Sequence, residues 1–300
     1  MSFSSTVLAS DKEVNASILR TQNTLGRDVS ASGIGLFTGE SVSIRMCPAP
    51  IGAGIVFQRV DLPLKPRLFA QLEQVHATPR CTVIGVDGVL VQTIEHIVAA
   101  LCVYKIDNAL IEISGAEVPI FDGSSNQFVS MIEAAGVFPQ ETMRPIYTIQ
   151  SPIYWSQGDI HLVALPSHEY RISYTLHYPF CTRIGSQYYS VVVDQESFKD
   201  KIAPSRTFSV YEEIASMIEK GLVKGGSLDN AVIIKDNAVA NPEGLRFPDE
   251  MVRHKILDLI GDLSLIPVSF AAHIIAVRSG HSSNNAFAKE LFNHIKMENF

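Results

Sequence analysis

The segment R-H-K-I-L-D-L-I-G-D, residues 253–262, is the most informative part of the chain and lies in a helix predicted from about Asp249 to Leu265. At 100° per residue, His254, Asp258 and Asp262 fall within one stripe of that helix. The opposite face carries Ile256, Leu259, Ile260 and Leu263. A histidine and an aspartate at i and i+4 present two metal-ligating atoms on one side of a helix. A solvated polar face would show the same pattern, so this pair alone is a weak signal.

A second metal-binding candidate is the pair Glu95-His96 in T-I-E-H-I-V-A-A-L, residues 93–101. Thr93 is the predicted N-cap of a helix, and Glu95 lies in its first turn, where a carboxylate interacts well with the helix dipole. A catalytic metal site needs a third protein ligand, an open position for water and a nearby base. Glu95 and His96 can supply the base and the ligand. Alternatively, Glu95 complements the helix dipole and His96 packs in the core.

The segment S-G-H-S-S-N-N, residues 279–285, follows a predicted strand and precedes a helix predicted from Asn284. Histidine is the usual proton donor near neutral pH, so His281 is a candidate acid for a leaving amine. A histidine without chemistry in a connecting loop is the alternative.

The order of predicted elements indicates an α+β protein with two domains, since both halves run strands, helix, strand, helix. Their predicted boundaries are 21–140 and 146–300, after a flexible leader at 1–20, and 300 residues suit two domains of this size. The proline-containing segment Pro139 to Pro145 is the predicted linker. A site between the two α+β layers is the expected place for ligands.

Composition excludes several classes of protein. The net charge is −7 and no Lys/Arg run occurs, so we expect no nucleic-acid binding. No apolar run of about 18 residues is present, so we expect no membrane span. The N-terminus lacks the layout of a signal peptide, and the four cysteines form no C-x-x-C pair. We therefore expect a cytoplasmic protein with free thiols, and a monomer.

Five ordered segments together resemble one family, the UDP-3-O-acyl-N-acetylglucosamine deacetylases, which are zinc amidases of lipid A biosynthesis. The resemblance extends from about Gln22 to Ala288. The segments are T-I-E-H-I-V-A-A-L, E-V-P-I-F-D-G-S-S from Glu117, A-P-S-R-T-F from Ala203, L-R-F-P-D-E-M-V-R-H-K-I-L-D-L-I-G-D from Leu245, and S-G-H-S-S-N-N. Each is a weak signal alone, but together they are specific.

The resemblance implies a role for each candidate residue. In the implied reaction zinc and a glutamate activate water, zinc and a hydroxyl stabilise the oxyanion, and a histidine protonates the sugar amine as acetate leaves. The zinc ligands would be His96, His254 and Asp258, the base Glu95, the acid or cationic stabiliser His281, its orienting partner Asp262, the hydroxyl Thr207, and the substrate contacts Lys255 and Phe208.

The resemblance also implies a fold, namely two βααβ-type sandwich domains packed helix layer to helix layer, each with a small insert. The second-domain insert is expected near Tyr178 to Val193 and would roof an acyl-chain tunnel, with Ile214 and Val223 at its wall. Two positions depart from the family pattern. Phe37 replaces the histidine of G-L-H-x-G, and the lysine that the family often has near the nucleotide has no clear counterpart around Ile160.

Two rival functions share these sequence features. One is a zinc amidohydrolase acting on a different acylated amino sugar, and the other is a binding module that has the fold but no chemistry. A His₂Asp ligand set would also accept iron(II), so zinc itself rests on the resemblance.

Overall fold

The computed structural model describes residues 16–299, with side chains from Ile18 onward. The helices in this range are α1 (Glu95–Val103), α2 (Asn126–Ala135), α3 (Gln195–Ser197), α4 (Tyr211–Glu219), α5 (Glu250–Leu263) and α6 (His281–Asn299). A 3₁₀ turn spans Leu72–Gln74, and a π-helical turn spans Phe198–Ile202. None of these helices is long and apolar enough to cross a membrane.

The strands of the first half form two sheets within the described chain, apart from the first strand, which joins a sheet of the second half. Their bounds are β1 (Ala16–Leu25), β2 (Val29–Ile34), β3 (Ser41–Pro48), β4 (Ile55–Arg59), β5 (Arg67–Phe69), β6 (Val75–Ala77), β7 (Val83–Val86), β8 (Val89–Gln92) and β9 (Ala109–Ile113). A five-stranded sheet has the order β2-β3-β9-β4-β5, and a smaller sheet the order β6-β7-β8. In β3 the buried residues Val42, Ile44 and Met46 alternate with exposed ones, so one face of the larger sheet covers the core.

Most strands of the second half belong to one large sheet. Their bounds are β10 (Val137–Thr148), β11 (Ile153–Gln157), β12 (Ile160–Pro166), β13 (Arg171–Tyr178), β14 (Gly185–Val192), β15 (Phe208–Val210), β16 (Val232–Lys235), β17 (Ala238–Val239) and β18 (Ser269–Val277). Strand β18 pairs with β10 and β13 in parallel and with β12 antiparallel. Strands β1, β11 and β14 complete a sheet of seven strands in the described part of the chain.

Helices α1 and α5 lie against each other and connect the two halves. Both are buried on nearly every side, as the fully buried Ile97, Leu101, Ile256 and Leu259 show. Contact this close is possible because Gly261 of α5 has no side chain where it meets the backbone of Glu95. The α+β class predicted from the sequence is confirmed. The division into domains at 21–140 and 146–300 stays a prediction.

The predicted linker was wrong, and the predicted leader was wrong in its last five residues. Pro139 to Pro145 is not a linker loop, because it lies within β10 and pairs antiparallel with β1. Prolines are tolerated there because this part of β10 is not paired with β18, whose register with β10 covers only Ile146 to Thr148. Residues 16–20 of the predicted flexible leader belong to β1, and the rest of that leader lies outside the described residues.

The predicted position of the second insert was also wrong. Residues 178–193 contain the turn and the second strand of a hairpin, which places β14 beside β13 in the large sheet. The separate small unit of the second half is instead formed by β15, α4, β16 and β17, residues 208–239, whose strands make a three-stranded sheet of their own. This unit covers the site described next.

Candidate metal centre

The polar stripe of α5 is buried rather than solvated. His254, Asp258 and Asp262 are each at most 3% exposed. Buried polar and charged groups are costly unless they are paired or bind a metal. Each of these side chains therefore needs a partner inside the protein.

His96 of α1 meets His254 and Asp258 of α5 in one buried cluster. The ligand atoms of the three residues all lie within 4.8 Å of one another. Asp258 Oδ1 is 3.3 Å from His254 Nε2 and 3.8 Å from His96 Nε2. His254 Nδ1–H donates to the Ser205 carbonyl at 3.0 Å, which leaves Nε2 with its lone pair directed at the cluster.

The protonation states of the cluster suit metal binding. Burial, together with the neighbouring His254, lowers the pKa of His96 to about 3, so the imidazole is neutral near pH 7. Burial also lowers the pKa of His254. Burial alone would raise the pKa of Asp258, but the Lys255 ammonium at 2.7 Å and the nearby imidazoles hold it far below its usual range. Two neutral imidazoles and one carboxylate are a donor set that fits zinc.

Glu95 lies beside this cluster in the first turn of α1, and it is buried. Burial raises its pKa to about 7, against the opposing effect of His281. Its Oε2 accepts the Thr82 backbone N–H at 3.0 Å, and its Oε1 is 3.9 Å from His281 Nε2. A carboxyl group whose pKa lies near neutrality can accept and release a proton under physiological conditions.

The imidazole of His281 is oriented by Asp262. His281 Nδ1 is 2.9 Å from Asp262 Oδ2, which also accepts from the Asn284 amide at 2.8 Å. Burial would lower the pKa of His281, but the carboxylates of Asp262 and Glu95 outweigh it and raise the pKa to about 9. His281 is therefore cationic near pH 7. It is also the first residue of α6, so this helix begins earlier than the predicted Asn284.

Thr93 does not cap α1 as predicted. The N-cap position is Ile94, and the Thr93 hydroxyl donates to Glu117 at 3.1 Å instead. Glu117 also accepts the backbone N–H groups of Phe37 and Thr38 at 2.9 and 2.8 Å. The motif that begins at Glu117 thus fixes the loop that places Phe37 at the site.

A cavity of about 670 Å³ opens onto these groups, and the structure brings all the predicted site residues except Asp262 to its wall. Tyr178, Thr207, Phe208, Ile214, Val223 and Lys255 line it together with Glu95, His96, His254, Asp258 and His281. Among the described residues, none between 179 and 193 lines it, so the predicted roof was wrong. Helix α4 and strands β15 and β16 enclose that side instead.

Other residues of the cavity wall were not predicted to have a role. Arg80 and Arg278 line it, and both have a positive φ, 105° and 55°. Phe37 and Ile160, the two departures from the family pattern, line it as well. No sequence pattern predicts that the two arginines share a cavity, because each follows a strand in a different half of the chain.

A buried His₂Asp cluster next to a carboxylate and a cationic histidine, at the end of a large cavity, is the arrangement of metal-dependent hydrolases. The model of one family, described as UDP-3-O-acyl N-acetylglycosamine deacetylase, matches residues 22–293. The chain belongs to this family.

Its similar relatives carry the name UDP-3-O-acyl-N-acetylglucosamine deacetylase. The protein of that name from Chlamydia pneumoniae is 48% identical over 279 residues, which is 93% of this chain and 99% of the relative. The one from Chlamydia caviae is 47% identical over 272 residues, 91% of this chain and 97% of the relative. The one from Chlamydia trachomatis serovar L2 is 44% identical over 279 residues, 93% of this chain and 97% of the relative. The family resemblance seen in the sequence is confirmed.

Proposed function

We propose that this protein removes the N-acetyl group of UDP-3-O-acyl-N-acetylglucosamine, releasing acetate, in lipid A biosynthesis. Family membership over most of the chain supports the substrate and the reaction. The observation that carries the chemistry is the cluster of His96, His254 and Asp258 at the end of the cavity, flanked by Glu95 and His281. The cytoplasmic location and the monomeric state predicted from the sequence stay predictions.

We assign the metal to zinc, held by His96, His254 and Asp258. The hydrogen bond from His254 Nδ1–H to Ser205 and the lowered pKa of both imidazoles support metal binding by these residues, and family membership supports zinc. When bound, zinc supplies Lewis acidity that polarises the amide carbonyl and makes a water molecule more acidic. The protein contributes the groups that hold and move the protons.

Glu95 is the proposed general base. Its carboxylate lies beside the ligand cluster, and its pKa of about 7 matches the pH at which it must take a proton from water. The N–H of Thr82 fixes one carboxylate oxygen, Oε2. The other, Oε1, faces His281.

His281 is the proposed proton donor to the departing sugar amine. The imidazolium is held by Asp262 at Nδ1, so Nε2 carries the proton toward Glu95 and the cavity.

Thr207 is the proposed donor to the oxyanion. Its backbone is fixed on both sides, with its N–H bonded to the Gly123 carbonyl at 2.8 Å and its carbonyl accepting from Val232 N–H at 2.7 Å. A preorganised donor of this kind stabilises developing charge without reorganisation.

The cavity has both the charge and the apolar wall that this substrate requires. Arg80, Lys255 and Arg278 contribute cationic groups suited to a diphosphate. An apolar wall suited to an acyl chain is provided by Phe208, Ile214, Met217, Ile218, Val223 and Ile233.

The acyl chain gives the sharpest test of substrate identity. Each buried methylene contributes about 0.8 kcal/mol, of which chain ordering removes part. We expect kcat/KM for UDP-N-acetylglucosamine without its acyl chain to be at least about a hundredfold below that of the acylated substrate. Ile214→Trp and Val223→Trp should lower kcat/KM for the acylated substrate selectively.

The matched control is Ile51→Trp, since Ile51 is exposed in a turn away from the cavity. Ile51→Trp should leave kcat/KM unchanged for both the acylated and the unacylated substrate. Equal kcat/KM values for the acylated and unacylated substrates on the unmodified protein would remove the lipid A assignment. The alternative of another acylated amino sugar would then be preferred.

A further inference from the structure

The proposed base, Glu95, and the proposed proton donor, His281, belong to different helices. Thr82, the residue before β7, forms hydrogen bonds to Glu95 and to Asp262, the partner of His281. Thr82 is 2% exposed. Its backbone N–H donates to Glu95 Oε2 at 3.0 Å, and its hydroxyl donates to Asp262 Oδ1 at 2.5 Å. Its hydroxyl oxygen is also 3.4 Å from His281 Nδ1.

These contacts fix the two carboxylates in different ways. The backbone N–H of Thr82 holds Glu95, and its carbonyl accepts from Ile94 N–H at 3.5 Å at the start of α1. The hydroxyl of Thr82 holds Oδ1 of Asp262. Asn284 and His281 hold the other oxygen. With donors on both oxygens, the Asp262 carboxylate cannot rotate freely about its terminal bond, so the imidazole of His281 is held in one orientation.

We propose that Thr82 is a positioning residue of the reaction, and that its hydroxyl sets the geometry of the Asp262–His281 pair while its backbone N–H sets that of Glu95. This inference rests on the proposed function. The role is positional rather than catalytic, because Cys81 lines the cavity whereas Thr82 is buried behind it. Loss of the hydroxyl should therefore affect turnover and leave substrate binding and metal binding intact.

The test compares Thr82→Val, which keeps the shape of the side chain and removes the hydroxyl, with Thr82→Ser, which keeps the hydroxyl. We expect Thr82→Val to lower kcat about 10- to 100-fold, the usual scale for groups that orient an active-site residue, with KM within about twofold and zinc content unchanged. Thr82→Ser should restore most of kcat.

Thr24→Val is the matched control. The Thr24 hydroxyl is also buried and hydrogen-bonded, to the Asn108 carbonyl at 2.7 Å, but it lies in β1 away from the site. Thr24→Val should show a similar loss of thermal stability and an unchanged kcat. A Thr82→Val variant with the kcat of Thr24→Val, or a Thr82→Ser variant as slow as Thr82→Val, would overturn the proposal.

A second readout does not depend on activity. The Nδ1–H proton of His281 should give a downfield NMR resonance, assigned by its loss in His281→Gln, that shifts in Thr82→Val and stays in place in Thr24→Val. An unshifted resonance in Thr82→Val would also overturn the positioning role. If the unmodified protein releases no acetate, the proposed function fails, and the resonance still decides the role of Thr82.

Discussion

Gly261→Ala should disrupt the metal centre although it changes none of the side chains of that centre. A Cβ at position 261 would lie 2.9 Å from the carbonyl carbon of Glu95 and 3.0 Å from its Cα, and closer still to its carbonyl oxygen. All of these atoms belong to the backbone of α1, so no side chain can rotate away. Helices α1 and α5 would have to separate by about 1 Å to restore ordinary contact distances.

Separating the two helices would also separate the proposed metal ligands. His96 is on α1, whereas His254 and Asp258 are on α5. Metal–ligand distances tolerate about 0.2 Å, and a displacement of about 1 Å in an active site can lower the rate about 10²-fold. Overpacking should also cost about 1–3 kcal/mol of the free energy of unfolding. We therefore expect lower zinc occupancy and a fall in kcat/KM of about two orders of magnitude, out of proportion to the loss of stability.

The assay measures zinc per chain, kcat/KM and thermal unfolding for Gly261→Ala and for a control, Gly115→Ala. At Gly115 an added Cβ would lie 3.3 Å from a methyl group of Val42, a side-chain atom that can move. The control should bind zinc and turn over normally. If Gly261→Ala has full zinc occupancy and unchanged kcat/KM, the close helix contact does not set the geometry of the site.

Three further predictions concern the proton-transfer groups. Glu95→Ala should keep zinc and lower kcat about 10²-fold or more, because the ligands remain and the base is lost; loss of zinc in this variant would show that Glu95 is a ligand instead. The pH profile of kcat/KM should rise through about pH 7, as Glu95 loses the proton that blocks it, and fall through about pH 9, as His281 loses the proton that it donates. Asp262→Asn removes the carboxylate that raises the pKa of His281, so the falling limb should move to lower pH, and an unmoved limb would contradict the assignment of His281.

The parts of the site that sequence could predict lie within single helical segments. His254 and Asp258 are one turn apart on α5, so their common direction follows from helix geometry alone. Glu95 and His96 share the first turn of α1 in the same way. That the two helices bring these pairs together came from the family resemblance, because no local pattern specifies it.

The contacts that sequence did not predict join distant positions. The hydroxyl of Thr82 reaches Asp262 across 180 positions of the chain, and nothing near Thr82 signals it. The prolines of β10 resemble a linker because they are unfavourable inside sheets, but here that stretch pairs only with β1. Thr93 has the residue type of an N-cap, yet the buried carboxylate of Glu117 provides a stronger acceptor for its hydroxyl.

Acetate release as a function of bound zinc tests the central claim most directly. Protein stripped with a chelator is titrated with zinc, and acetate formed from UDP-3-O-acyl-N-acetylglucosamine is measured at each point. We expect no release from the metal-free protein and a linear rise that ends at about one zinc per chain, since one set of three ligands with an open position holds one catalytic ion. Full activity in the metal-free protein, or no acetate from the fully loaded protein, would contradict a zinc-dependent deacetylase.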